Sequence, residues 1–156
     1  MKQVFRIVVF LAFCTAALAQ TSAVVHMLGA WKLDPARSTY SPGLPPKSLL
    51  NNIEAVDGGL KVVSNGIDAE DKPTHFEWTA KFDGKDYPVK GDPTRDAISI
   101  KKLDDYALEL TNKKDGKVVN IVHAVYAKDG KSRTETRMGT DGQGRHIKNV
   151  TYWVRQ

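Results

Sequence analysis

The sequence predicts an all-β protein: an antiparallel up-and-down β-barrel of about ten strands, preceded by a signal peptide. Three observations carry that expectation. Asp-centred turn signals recur at an almost even beat, at Asp57-Gly58-Gly59, Asp71-Lys72-Pro73, Asp83-Gly84-Lys85, Asp115-Gly116-Lys117, Asp129-Gly130-Lys131 and Asp141-Gly142-Gln143. Short runs of alternating apolar and polar residues fill the intervals, and no long helical periodicity interrupts them. Asp-Gly supplies the positive-φ residues of a tight hairpin, so its repetition between alternating runs marks consecutive antiparallel strands. A meander of this length loses its exposed edges by closing on itself.

Before the first strand, Lys2 and Arg6 give a positive start, Ile7 to Leu18 an apolar stretch, and Ala17-Leu18-Ala19 a small-x-small cleavage pattern ahead of Gln20. That pattern predicts a cleavable secretory signal over residues 1–19, and residues 20–156 as a single mature domain. The apolar stretch is short for a bilayer span, so no stable membrane insertion is expected after cleavage. Cys14, the single cysteine, falls inside the signal, and Phe13 before it disfavours a lipid anchor. The localisation expected is therefore periplasmic or secreted. The full chain has 156 residues with 23 basic and 18 acidic side chains. Without residues 1–19, which hold Lys2 and Arg6, 137 residues and a net charge of +3 remain. With no mature cysteine, an apolar core and not disulfides has to hold the domain. The positive charge is dispersed, and no nucleic-acid partner is expected.

Strands are predicted near 29–33, 48–56, 60–68, 74–82, 86–90, 96–103, 106–112, 117–127, 131–139 and 145–154. The clearest is the fourth, where Phe76, Trp78, Ala80 and Phe82 alternate with His75, Glu77, Thr79 and Lys81; one face is buried and the other wet. Weaker alternation runs through Tyr106, Leu108 and Leu110, through Val118, Val122, Ala124 and Tyr126, and through Val150, Tyr152 and Val154. Pro88 argues against a central position for the fifth strand. After the first strand, Asp34-Pro35-Ala36-Arg37 has the composition of one helical turn, Asp34 as N-cap and Pro35 at the first position. Pro42, Pro45 and Pro46 then impose an extended, irregular loop, which either covers one mouth of the barrel or acts as a spacer.

The ninth strand, Lys131 to Met138, admits two registers. One points Thr134 and Thr136 inward beside Met138, with charge outside. The other points Arg133 and Arg137 inward, where they would need anionic partners or an acidic ligand. The first is favoured, because unpaired buried arginines are expensive.

Gly29-Ala30-Trp31 on the first strand, a mature length near that of small barrel proteins, and the closing run Tyr152-Trp153-Val154-Arg155 together resemble lipocalin-like and fatty-acid-binding-protein-like members of the calycin superfamily. The resemblance covers residues 28–156 as architecture. It implies a barrel floor closed by Trp31, with Arg155 of the last strand packed on it; Gly29, Trp31 and Arg155 would then be structural. Fatty-acid-binding proteins add a two-helix lid that the prolines here exclude, and an Arg-x-Tyr carboxylate anchor on the last strand. Tyr152 and Arg155 are three apart, on opposite faces of a strand, so the looser bacterial lipocalin-like group is the better match.

For function, alternation alone nominates Phe76, Trp78, Tyr106, Leu108, Val122, Tyr126, Thr134, Met138 and Tyr152 as cavity-lining residues; plain core packing is the competing explanation for each. The protein expected is a monomeric carrier of a small hydrophobic or amphipathic ligand, with no cofactor, no metal and no chemistry of its own. His75 and Glu77 at i, i+2 fit a solvated surface pair better than a metal or acid/base site, and His123 has no partners visible in sequence. No phosphate loop, nucleophile elbow or His-Glu-x-x-His helix is present. The alternative is a partner-binding envelope protein with a filled barrel, using the Pro-rich 41–47 loop and the Lys101-Lys102 and Lys113-Lys114 pairs.

Overall fold

The computed structural model describes residues 24–141 and 143–156; the expected signal over 1–19 lies outside them. Ten antiparallel strands form one closed barrel, each paired with its neighbours in sequence and the last with the first. They are β1 (Gly29–Thr39), β2 (Ser48–Val56), β3 (Gly59–Ile67), β4 (Pro73–Lys81), β5 (Tyr87–Lys90), β6 (Ala97–Lys102), β7 (Ala107–Lys114), β8 (Lys117–Tyr126), β9 (Ser132–Thr140) and β10 (His146–Arg155). Closure runs through Trp31 opposite Arg155, Lys32 opposite Val154 and Leu33 opposite Trp153.

The acidic turn residues do more than precede glycine. The carboxylates of Asp83, Asp129 and Asp141 each accept a hydrogen bond from the backbone N–H two residues on, at 2.9–3.0 Å. Asp68, Asp92 and Asp104 do the same in other connections, and Asp34 does so at the irregularity within β1. These Asx turns satisfy backbone donors that leave the ladder. Between β7 and β8 both turn residues have positive φ, Asp115 at 50° and Gly116 at 73°, as a two-residue type I′ hairpin demands. An added Cβ at Gly116 would meet nothing within 4 Å. Gly116→Ala is therefore expected to cost only the left-handed backbone penalty, about 1 kcal/mol. The urea midpoint should fall with an unchanged slope; a loss above twice that size would mean the turn makes contacts the structure does not show.

Two elements depart from expectation. Residues Asp34–Arg37 form no helical turn; β1 continues to Thr39 through an irregularity in its pairing with β10. The Asp34 carboxylate still caps, accepting from the Ala36 and Arg37 N–H groups, while Ser38 Oγ donates to the Asp34 carbonyl and accepts from the Tyr152 N–H. Capping chemistry stabilises a bulge here because the edge of β10 offers pairing beyond it. β5, whose Pro88 argues against a central position, is nonetheless paired on both sides, with β4 and β6; it spans four residues with two register pairs on each side, and Pro88 brings no donor to the ladder.

One end of the barrel is sealed. The chain from Val24 to Leu28 folds across it, burying Val24 and Met27. Trp31 Nε1–H donates to the Met27 carbonyl at 2.9 Å, and Arg155 Nη2 donates to the His26 carbonyl at 2.6 Å. The Arg155 guanidinium lies 4.8 Å from the Trp31 ring centre, and Tyr126 meets that ring edge-on at 5.4 Å. Above this floor Leu33, Leu60, Ile100 and Leu108 are almost wholly buried, and Ile98, opposite Asn112 nearer the other end, is buried as well.

Candidate functional site

Toward the open end the interior turns polar. A lower chamber of about 50 Å³ lies between Ile53, Leu60, Val62, Trp78, Leu108 and Val122. An upper chamber of about 170 Å³ opens above it, lined by the apolar Leu49, Phe76 and Trp153 and the charged Arg95, Glu135 and Arg137, with the Arg95 guanidinium over Phe76. Asn51, Phe76, Arg95, Glu135 and Arg137 border both. Tyr40 and Pro46 line the upper chamber, so the Pro-rich connection contributes to this mouth. Neither space approaches the roughly 300–1,000 Å³ of a drug-sized pocket; an apolar cavity of about 150 Å³ accepts a molecule the size of benzene.

Of the residues nominated from alternation, Phe76, Trp78, Leu108, Val122 and Tyr126 border these chambers. Tyr106 does not: it precedes β7 in the turn below the floor, its ring 4.7 Å from that of His26. The favoured register of β9 is corrected. Arg133 is 2% exposed and Met138 44% exposed, and Arg133, Glu135 and Arg137 face the interior. Thr134 and Met138 therefore lie on the outer face, opposite Tyr152 and Lys148 of β10. Tyr152 is outside too, with the Arg37 guanidinium 3.4 Å above its ring, while Asn149, Thr151 and Trp153 point inward. For Arg133 the cost of burial, which argued for the other register, is met by partners at the neighbouring interior positions, whereas Arg137 is only half-buried.

Arg133 sits in an aromatic box, 4.5 Å from Trp153, 5.3 Å from Trp31 and 5.7 Å from Tyr126. Its Nη1 donates to Tyr126 Oη at 3.2 Å, and its Nη2 lies 3.1 Å from Glu135 Oε1, an ion pair too far out of line to count as a hydrogen bond. Cation–π attraction is strongest where water is excluded, so the rings supply what hydrogen bonding does not. Burial pushes the Tyr126 phenol up, against the pull of Arg133.

Arg95 comes from the β5–β6 connection and reaches back into the barrel. Its Nε donates to Asp92 Oδ2 at 2.8 Å, its Nη1 to Asn112 Oδ1 at 2.5 Å, and Asn112 Nδ2 donates to Asn120 Oδ1 at 2.7 Å. Phe76 lies under the guanidinium at 4.7 Å. Desolvation, with the nearby charge of Arg137, brings the Arg95 pKa down to about 10. Burial raises the Asp92 carboxyl, yet the Arg95 charge and hydrogen bonds from Thr94 outweigh it and the net shift is downward. On the next wall Ser64 Oγ donates to Asn51 Oδ1 at 2.7 Å. Arg137 differs from the other two: among the described residues it has neither a hydrogen bond nor an ion pair.

No family model matches the chain, and no curated protein or solved structure does either.

His75 and Glu77 point outward, His75 to Asn65 at 2.8 Å and Glu77 to Lys90 at 3.4 Å, and His123 lies 3.2 Å from Glu109 on the outer wall. The interior polar set, Asn51, Ser64, Arg95, Asn112, Asn120 and Glu135, was not nominated from sequence. One signal for part of it was available: Arg133, Glu135 and Arg137 alternate in sign at period two, so they can neutralise one another on a buried face.

Tyr40 reports on the mouth. Burial pushes its phenol up to about 12, with Arg137 pulling down and Glu135 pushing up. A raised pKa favours the neutral form in the folded state. Its stabilising contribution is thus complete below the ordinary value of about 10 and is lost as pH rises through about 12. Phenolate absorbance should show a late-ionising step that Tyr40→Phe removes; a Tyr40→Phe titration identical to wild type would overturn the assignment.

Proposed function

We propose that the protein is an exported binding protein for a small amphipathic molecule, a lipocalin-like barrel that carries and does not transform its ligand. The observation that supports it best is the upper chamber, about 170 Å³, open at one end, with apolar and charged side chains together in its lining. The closed meander and the stacking of Arg155 on Trp31 favour the lipocalin-like kinship; the composition of residues 1–19 favours export. The small volume argues for a compact ligand over a long acyl chain. A partner-binding role is the second reading, favoured by the exposed Ile121 and Met138, cross-strand neighbours on the outer wall.

Native mass spectrometry of the mature protein from its own host, followed by solvent extraction, tests the first reading. A reproducible retained molecule of low mass supports it. A clean apo mass, with no uptake from a panel of small apolar and amphipathic compounds, shifts the assignment to partner binding.

A further inference from the structure

The walls of the chambers carry an uneven charge. Three guanidinium groups, Arg95, Arg133 and Arg137, face two carboxylates, Asp92 and Glu135. Asp92 is committed to Arg95 at 2.8 Å and Glu135 to Arg133 at 3.1 Å. One positive charge, on Arg137, is left over. It borders both chambers and stands close enough to Arg95 for the two like charges to disfavour each other, as the lowered Arg95 pKa reflects. Arg95 is buried and Arg137 half-buried; like charges drawn partly out of water without a counter-ion are costly, and the nearby acids Asp92 and Glu135 are already engaged.

We propose that the upper chamber binds a small organic monocarboxylate, its carboxylate held by Arg137 beside Arg95 and its apolar body, about one aromatic ring in size, against Leu49, Phe76 and Trp153. This rests on the reading of the barrel as a small-molecule carrier and specifies the ligand's charge and bulk. A guanidinium fork matches a carboxylate in shape and charge. A single negative charge balances the excess; a dianion would exceed it and meet repulsion from Asp92 and Glu135. A neutral molecule of equal size would leave Arg137 uncompensated. The lower chamber, about 50 Å³, has room for a few waters or a short extension of the ligand, and the two chambers together are too small for a long-chain fatty acid in this conformation.

The test uses benzoate and its neutral isostere benzamide, titrated by calorimetry into the mature protein, wild type and Arg137→Gln. Arg137 has no partner to strand among the described residues, so this variant should fold; an unchanged near-ultraviolet dichroism spectrum checks it. Benzoate is expected to bind about 10- to 100-fold more tightly than benzamide, and Arg137→Gln to erase that difference. Arg137→Lys should retain part of it. In nitrogen-15 spectra the Arg95 and Arg137 Nε–H signals should shift with benzoate and not with benzamide. Equal binding of the two compounds, or benzoate binding indifferent to Arg137→Gln, would overturn the monocarboxylate and leave the carrier reading standing. Failure of wild type to bind either compound overturns it as well; the carrier reading then falls only if host-purified protein also proves empty.

Discussion

Trp31→Ala is expected to destabilise the protein by about 3–5 kcal/mol, the range for removing a fully buried aromatic. Trp31 is 0% exposed, and it joins elements far apart in sequence. Its indole N–H holds the Met27 carbonyl, its face carries Arg155 of the last strand, and it makes a T-shaped contact with Tyr126 of β8. Truncation would leave a cavity at the floor, release the plug formed by Val24 and Met27, and strip the Arg155 guanidinium of its aromatic cover. A domain of this size has about 5–15 kcal/mol in all, so the variant should unfold at a much lower urea concentration, and marginally at best near body temperature. Trp31→Phe retains a ring face for Arg155 and loses the hydrogen bond, so about 1–2 kcal/mol is expected. A Trp31→Ala protein within 1 kcal/mol of wild type would mean that the floor is held from elsewhere.

The strands were legible because turn chemistry and alternation are local properties. Asp carboxylates that accept a backbone N–H two residues on, and glycines that adopt positive φ, need no distant partner to reveal themselves. The floor was legible in part: Gly29-Ala30-Trp31 and Arg155 suggested it, whereas the plug at Val24–Met27 carries no pattern of its own and is fixed by Trp31 and Arg155 from outside. The register of β9 and β10 went astray for an identifiable reason. Val150, Tyr152 and Val154 are more apolar than Asn149, Thr151 and Trp153, and apolarity suggested the wrong face. Residues directly opposite across a ladder share a face, however, and Trp31 lies opposite Arg155. Placing both inside commits Trp153, Thr151 and Asn149 to the interior by period two, and a slip of one residue turns every side chain over. Pairing Trp153 with Arg133, Thr151 with Glu135 and Asn149 with Arg137 then carries the charges of β9 inward. Closure constrained the register more reliably than hydropathy. Arg95 had no such handle: it lies in an irregular connection, and only the fold brings it to Asn112, seventeen residues away.

Asn112→Leu is expected to cost about 2–4 kcal/mol, because it leaves two buried polar groups without partners at once. Asn112 is 0% exposed; it accepts from Arg95 Nη1 and donates to Asn120 Oδ1. Leucine fits the volume and offers neither function, so the Arg95 guanidinium loses an acceptor in a site already unfavourable to its charge. Charged groups stranded in this way dominate the loss. Arg95→Met in the wild-type background should also destabilise, since it strands Asp92 and frees the Asn112 acceptor. Combining Arg95→Met with Asn112→Leu removes donor and acceptor together, and the pair is expected to cost at least 1 kcal/mol less than the sum of the single changes. Additive losses in that double-mutant cycle, measured by urea unfolding, would mean that the Arg95–Asn112 contact contributes nothing of its own. Coupling of the expected sign would show that the polar upper interior is held as a connected network, at a cost in burial that an apolar lining would avoid, beside Arg137, which has no hydrogen bond or ion pair among the described residues.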